Sequence, residues 1–368
     1  MIQLGVNGWR MQGPRTGVPR YLYNIVRHWT DDVVPKDVRV TFHAAKPFDD
    51  PLPSNIKVRI RASDSRMLVW ENLRLGPSAK DDVLFCPSFS RPVLTRARTV
   101  VTLHDAVSAL YPHLFPKMQP WLYNPLYGWS GRNATLVITD SEAARDDICN
   151  VWRVPESKIR VIYMAPAEHF QAVPDRALVA ETCRQITGSD APYFLFVGKT
   201  SGRRNLPLLL DAFALWRKRQ ARPHRLCLVG PSSSVALREQ VARLGIGSSV
   251  LFSGFQSDEN LNLLYNGAQA MVMPSVYETV SLPVLEAQAA GTPVVCIGTA
   301  GMLEVSGRAA LTIPRLEPTL LADAMDQIAD GEALREDLCR RGLLNTAGLS
   351  WKKTAKQTLD VLLEAATA

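Results

Sequence analysis

The chain has 368 residues, 46% hydrophobic and 21% charged, with 25 Pro and 22 Gly. That is the length of about two ordinary domains, and the composition excludes disorder, collagen, coiled coil and a small disulfide-stapled module. The net charge of +7 is concentrated early: residues 1–170 hold 22 Lys and Arg against 16 Asp and Glu, and the remainder holds 20 against 19.

Taken in chain order, short apolar runs rich in Val, Ile and Phe predict strands at 2–6, 38–43, 56–60, 83–86, 99–103, 135–139 and 160–163. Helical spacing of apolar residues marks 17–29 and 141–152. Residues 165–190, with Pro166, Pro174 and little strand pattern, read as a boundary. We therefore expect one domain at 1–170 and a second at 171–350. In the second, strands are expected at 193–197, 225–229, 250–253, 270–273, 293–297 and 310–313, and helices at 206–218, 235–244, 260–268 and 282–290. A last helical pattern, 351–368, follows the final strand and can pack on either domain. Strand–helix alternation of this kind implies right-handed crossovers and parallel sheets covered on both faces, with ligands at the carboxyl ends of the strands.

The six cysteines are scattered with no Cys-x-x-Cys, so neither a zinc site nor a disulfide framework is expected; they read as reduced thiols in a cytosolic protein. The first twenty residues hold no apolar signal-peptide core. The most apolar long stretch, 282–305, is broken by Glu286, Gln288, Gly291 and Pro293, so no transmembrane helix is expected. Basic clusters stand at Lys57, Arg59, Arg61 and Arg66 and at Arg91, Arg96 and Arg98. They suit a nucleic acid, an anionic membrane or a phosphorylated substrate; a solvated face fits them as well.

Four loops at predicted strand ends carry chemistry. Gly198 to Asn205 (Gly-Lys-Thr-Ser-Gly-Arg-Arg-Asn) opens a helix with two glycines and three cations, which suits a phosphate; its spacing is not that of a Walker A loop, and a mobile surface turn is the plain alternative. Glu278-Thr279-Val280-Ser281-Leu282-Pro283-Val284-Leu285-Glu286 sets one carboxylate in a loop and another one turn into a helix, with Ser281 as the expected cap. The pair can hold sugar hydroxyls, or serve as a solvated loop residue and a partner of the helix dipole. His104-Asp105 ends a strand, where the imidazole can bond a substrate hydroxyl or be held by the neighbouring Asp. Gly13 to Tyr21 joins the first strand to the first helix, and Gly17 there allows backbone close to a ligand or simply turns the chain. Asp140-Ser141 reads as a helix cap.

With these residues in order, the chain resembles the retaining, nucleotide-sugar-dependent glycosyltransferases of family 4. Thr16-Gly17-Val18-Pro19-Arg20-Tyr21, His104-Asp105, Thr139-Asp140-Ser141-Glu142, Val161-Ile162-Tyr163, Arg203-Arg204-Asn205, the Glu278–Glu286 pair, Ala287 to Val295 and Ser350-Trp351 follow that family's succession of motifs. The resemblance implies the α/β GT-B fold: two facing Rossmann-like domains with parallel sheets and an interdomain cleft, the tail 351–368 packing back on the N-terminal domain. It implies that the C-terminal domain binds the donor and the N-terminal domain the acceptor. Lys199 and Arg204 would neutralise the donor diphosphate without a metal, and no cofactor is expected. Glu286 would hold the ribose, Glu278 the transferred sugar, and His104 would contact that sugar from the other domain. Gly17, Gly198, Thr279, Val280, Ser281 and Leu282 would complete the donor site.

The implied activity is retaining transfer of a hexose, of mannose or glucose type, from a GDP- or UDP-sugar. Domain closure would exclude water, and the acceptor would be a saccharide or lipid-linked saccharide in cell-surface polysaccharide biosynthesis. The implied location is the cytoplasm, at the inner membrane face where the basic half meets anionic lipid. One departure stands out: the family often has Glu-Gly-Phe-Gly where this chain has Glu278-Thr279-Val280-Ser281, so two glycines are replaced. Two other readings are a non-catalytic sugar-nucleotide-binding protein and a GT-B-like sugar-nucleotide epimerase. A nucleic-acid partner is not expected, since neither aromatic platforms nor a recognised module is present.

Overall fold

The computed structural model describes residues 1–12, 17–116, 118–219, 222–230 and 234–368; residues 13–16 of the first glycine loop lie outside the described residues. The chain divides into two compact units, Met1–Met164 with Ser350–Ala368, and Ala165–Leu349. The division thus falls ahead of 170. Ala167 and Phe170 belong to the second unit's core, and the Gln171 and Val173 amides donate to the Asn262 and Asn266 side chains at 3.1 and 2.8 Å.

The first unit is built on seven strands: β1 (Ile2–Asn7), β2 (Val38–Ala44), β3 (Ile56–Ile60), β4 (Val83–Cys86), β5 (Arg98–Thr102), β6 (Leu136–Thr139) and β7 (Ile159–Val161). They pair in parallel in the order β3-β2-β1-β4-β5-β6-β7. β4 and β6 are buried at every position because helices cover both faces, which is why they read as unbroken apolar runs rather than alternating ones. The helix Trp351–Thr367 covers part of this sheet. Trp29 Nε1 donates to the Ala355 carbonyl at 2.9 Å, Thr354 Oγ1 to the Tyr163 carbonyl at 2.7 Å, and Arg98 donates to the last carbonyls of the helix, at Ala366 and Ala368.

The second unit has six strands: β8 (Tyr193–Val197), β9 (Arg225–Val229), β10 (Val250–Gly254), β11 (Ala270–Met273), β12 (Val294–Ile297) and β13 (Leu311–Ile313). They pair in parallel in the order β10-β9-β8-β11-β12-β13. Both units are therefore doubly wound, and in both the strand order reverses beside the first strand: between β1 and β4, and between β8 and β11. Loops leaving the two strands at such a point run to opposite faces and open a crevice between them.

Every expected strand is present to within two residues. Several helices were not anticipated. Met118–Asn133 holds Pro120, Pro125, Gly128 and Gly131, a composition that argues against a helix. Packing overrides it: a Cβ on Gly131 would lie 2.7 Å from Val154, and one on Gly128 within 3.3 Å of Trp152, so the small residues let this helix sit against its neighbours. Arg176–Thr187, inside the stretch read as linker, is bounded by Asp175, whose side chain accepts from the Ala177 and Leu178 amides, and by left-handed Gly188. Those caps were legible in the sequence. All six cysteines are free thiols.

Trp351 is buried against Tyr21, ring centroids 6.3 Å apart. Replacing Trp351 by Ala is expected to lower the first unit's stability by about 3–5 kcal/mol, read as a lower urea midpoint.

Candidate active site

At the second unit's reversal, two loops converge. After β8 the chain runs through Gly198 and exposed Lys199 to a single 3-10 turn, Gly202–Arg204; Asn205 is left-handed at φ 50°, and the helix Leu206–Arg219 begins beyond it. After β11 it runs from Pro274 to Ser281 and into the helix Leu282–Ala289. The Val276 amide donates to the Arg203 carbonyl at 2.9 Å and ties the two loops together.

Glu278 is 1% exposed. Arg204 Nη1 lies 2.7 Å from its Oε1 and Arg203 Nη1 3.5 Å from its Oε2. Neither oxygen accepts a hydrogen bond of ordinary geometry among the described residues; Arg204 Nη1 instead donates to Met273 Sδ at 3.0 Å. Charge holds this carboxylate, and its lone pairs stay unused. The same loop buries the Ser275 and Ser281 hydroxyls without partners. Ser281 does occupy the cap position, yet its side chain makes no capping bond. Burial alone would push the Arg204 guanidinium down in pKa, and it does so here against the opposing charge of Glu278. Buried polar atoms left unpaired are costly in a folded chain, so their concentration in one loop marks a place for a polar ligand.

Glu286, 2% exposed, accepts from the Tyr265 hydroxyl through Oε2 at 3.2 Å. Thr279 is buried, and Val280 and Leu282 are partly exposed. Lys199 makes no ion pair or hydrogen bond among the described residues and is free to move onto an anion. Gly198, Gly230 and Gly254, at the ends of β8, β9 and β10, line an open hollow of about 290 Å³ together with Phe196, Arg238 and Phe252. Gly230 stands at φ 145°, and a Cβ there would lie 2.2 Å from the Gly198 carbonyl, so the hollow's floor needs a glycine.

In the first unit, Gly17 enters the helix Val18–Val26 at φ 62°, ψ −123°, a conformation open to glycine alone. His104 follows β5 and is 12% exposed. Its partner is Asp140, not the adjacent Asp105: Nδ1 lies 2.6 Å from Asp140 Oδ2, and Nε2 lies 3.1 Å from the Pro87 carbonyl. Both partners can accept, so both ring nitrogens can donate, an arrangement that favours the imidazolium. Burial opposes that charge, but Asp140 and the two hydrogen bonds outweigh it and raise the pKa above 6.5. Asp140, read from the sequence as part of a cap, therefore has another task. Ser141 is the cap, accepting from the Ala144 amide at 3.1 Å. Tyr21 and Phe89 pack their rings on His104 at 4.9 and 5.5 Å.

The structure thus brings Arg204 together with Glu278, leaves Lys199 unpaired, and engages both nitrogens of His104. The sequence reading missed the roles of Arg203, Tyr265 and Asp140 in these contacts. It also missed Glu71, which is fully buried at the first unit's reversal; burial pushes its pKa up to about 7 against hydrogen bonds from Ser90 and Asn7. Nothing in spacing marks it, because its two partners come from separate segments. Among the described residues no three His, Cys, Asp or Glu cluster as a metal site would require.

Asp140→Asn is expected to lower the His104 pKa in an NMR titration. Because that pKa is raised on folding, the pair's stabilisation is complete below about pH 6.5 and is lost as pH rises through the raised value. Urea midpoints of wild type and Asp140→Asn should therefore differ most just below that value and converge above it; toward acid pH the difference shrinks again as Asp140, its own pKa raised by burial, takes up a proton.

Residues 15–165 match the family model for glycosyltransferase family 4, and residues 181–343 that for glycosyl transferases group 1. The chain is 28% identical to O-antigen chain mannosyltransferase B of Escherichia coli, over 94% of this chain and 96% of that one. It is 34% identical to a D-inositol 3-phosphate glycosyltransferase of Frankia alni, over 61% of this chain and 58% of the relative. Among solved structures, Anabaena Alr3699/HepE in complex with UDP and glucose is similar with a TM-score of 0.76 at 17% identity, covering 99% of this chain and 100% of that one. With both halves matched and two doubly wound parallel sheets, the chain belongs to the family 4-type glycosyltransferases of GT-B fold.

Proposed function

We propose that this glycosyltransferase moves a hexose, of mannose or glucose type, from a GDP- or UDP-sugar to a saccharide or lipid-linked saccharide in cell-surface polysaccharide biosynthesis, with retention and without a metal. The observation that carries the donor assignment is Glu278: a buried carboxylate between two arginines, with no hydrogen bond to either oxygen, at the second unit's strand reversal. Its free lone pairs suit the hydroxyls of the transferred sugar. Glu286, presented from the following helix, suits the ribose hydroxyls. The relative from Escherichia coli is named for mannose, and the Anabaena structure holds UDP and glucose; these support the sugar class and the donor class respectively.

In the reaction the bond from the anomeric carbon to the diphosphate oxygen breaks as the bond to the acceptor oxygen forms on the same face. The acceptor's proton passes to the leaving phosphate. Negative charge grows on that phosphate, where Lys199 and the Arg203–Arg204 pair lie ready in a fixed loop. Arg204 brings a planar fork where lysine would bring a point charge. In the first unit, His104 Nε2–H can be offered to a ligand hydroxyl in exchange for the Pro87 carbonyl.

An anionic membrane surface is the proposed setting. Lys57, Arg59, Arg66 and Arg96 are exposed, whereas Arg61 donates to Ser78, Arg91 to the Asn133 carbonyl and Arg98 to the tail helix. Two residues before exposed Arg96 stands exposed Leu94, next to exposed Val93, whose amide donates to Asn72 at 2.7 Å beside exposed Leu73. Cations flanking apolar side chains suit a headgroup layer at about 1 kcal/mol per cation. No helix among the described residues is long and apolar enough to cross a membrane.

Two measurements test the reading. Thermal shift against GDP, UDP and ADP should raise Tm with one nucleotide, and Glu286→Ala should abolish the rise. Glu278→Gln should cut kcat at least a hundredfold with the nucleotide shift retained; unchanged turnover would remove Glu278 from the mechanism. For the membrane, vesicles containing phosphatidylglycerol should co-sediment the protein, and Arg66→Glu with Arg96→Glu should release it. Equal sedimentation of that variant would count against the surface.

A further inference from the structure

We propose that the strand reversal of the first unit is an anion subsite, in which Arg10, braced by Ser88 and Trp9, takes a phosphate or carboxylate group carried by the sugar acceptor. This rests on the glycosyltransferase reading above and names the acceptor's chemical class.

The place is the first unit's counterpart of the crevice that holds Arg204 and Glu278. Arg10 comes from the loop after β1 and Ser88 from the loop after β4, the two strands between which the order reverses. Arg10 Nε donates to Ser88 Oγ at 2.9 Å, and its guanidinium lies 5.7 Å from the Trp9 ring centroid. One edge of the guanidinium is thereby fixed, while its two terminal nitrogens donate to nothing among the described residues. That is the fork by which arginine takes two oxygens of a phosphate or a carboxylate.

The buried acid within electrostatic reach, Glu71, is already satisfied. Glu71 is wholly buried, its Oε1 accepting from Asn7 Nδ2 at 2.7 Å and its Oε2 from Ser90 Oγ at 2.8 Å. It forms no ion pair with Arg10. With both Glu71 oxygens occupied by Asn7 and Ser90, the terminal nitrogens of Arg10 are left for a ligand. The backbone is strained at the same spot, since Phe89, between Ser88 and Ser90, stands at φ 59°. Glu71 itself opens a π-helical turn, Glu71–Leu75. Tyr127, within electrostatic reach of Arg10, stacks on Tyr123 with centroids 5.7 Å apart and adds an apolar wall against which a sugar ring can lie.

The test uses the full chain and four probes: methyl α-mannoside, mannose 6-phosphate, glucuronate and inorganic phosphate, with binding followed by calorimetry or NMR. At least one anionic sugar should bind tenfold or more tightly than methyl α-mannoside. Mannose 6-phosphate in the lead would assign a phosphoryl group, and glucuronate in the lead a carboxylate. Arg10→Gln should erase the preference and Arg10→Lys should keep part of it. The inference is overturned if the neutral sugar binds as tightly as both anionic ones, if Arg10→Gln keeps the preference, or if inorganic phosphate alone matches mannose 6-phosphate. The nucleotide-dependent rise in Tm, measured on the same samples, is independent of Arg10. Its absence in wild type would count against the donor reading, whereas its presence without the anion preference would overturn the subsite alone.

Discussion

Burial of a parallel sheet on both faces is the constraint from which the rest of the structure follows. Strands such as Val83–Cys86 and Ala270–Met273 have no polar side to show to water, so most return connections carry a helix lying across one face, β2 to β3 and β4 to β5 being joined by loops without one. Right-handed crossovers then send every strand-to-helix loop to one edge of its sheet. The two reversals of strand order turn that edge into a pair of crevices, one per unit. The residues of interest stand in or beside them: Arg204 with Glu278 in one, and Arg10, Ser88 and Glu71 in the other, with His104 one strand further along.

The two crevices use opposite electrostatic solutions. In the second unit two arginines face the buried carboxylate, and its lone pairs remain open among the described residues. In the first unit the buried carboxyl is filled by neutral donors, and the cation beside it is the open partner. A buried carboxyl group is tolerable only when it is paired with a cation or hydrogen-bonded. The same residue types therefore offer an acceptor of hydrogen bonds in one unit and a donor in the other.

Thr279 and Ser281 bring side chains into the loop after β11, and the loop stays tightly packed. The room comes from across the site: a Cβ on Gly301 would lie 2.2 Å from the Glu278 carbonyl, so the helix Ala300–Val305 can press against this loop only because position 301 is glycine. The Thr279 side chain and the Ser281 hydroxyl are buried rather than projecting into solvent, and Ser281 adds a polar atom that has no partner among the described residues.

The sequence by itself determined the strands, their parallel arrangement and the loops that carry chemistry, because apolar runs, glycines and caps are local signals that need no knowledge of what lies opposite. It also revealed where Glu278, Glu286, Arg204 and His104 stand along the chain. Tertiary structure alone decided their partners. His104 pairs with Asp140, which is 36 positions away, rather than with Asp105 beside it, because β5 and β6 are neighbours in the sheet and their ends meet. The Met118–Asn133 helix formed against its prolines and glycines because packing, not propensity, set it. Glu71 gained its buried site from Asn7 and Ser90, residues that no periodicity connects. Spacing along a chain fixes which face a side chain takes; only the order of strands in a sheet fixes whom it meets.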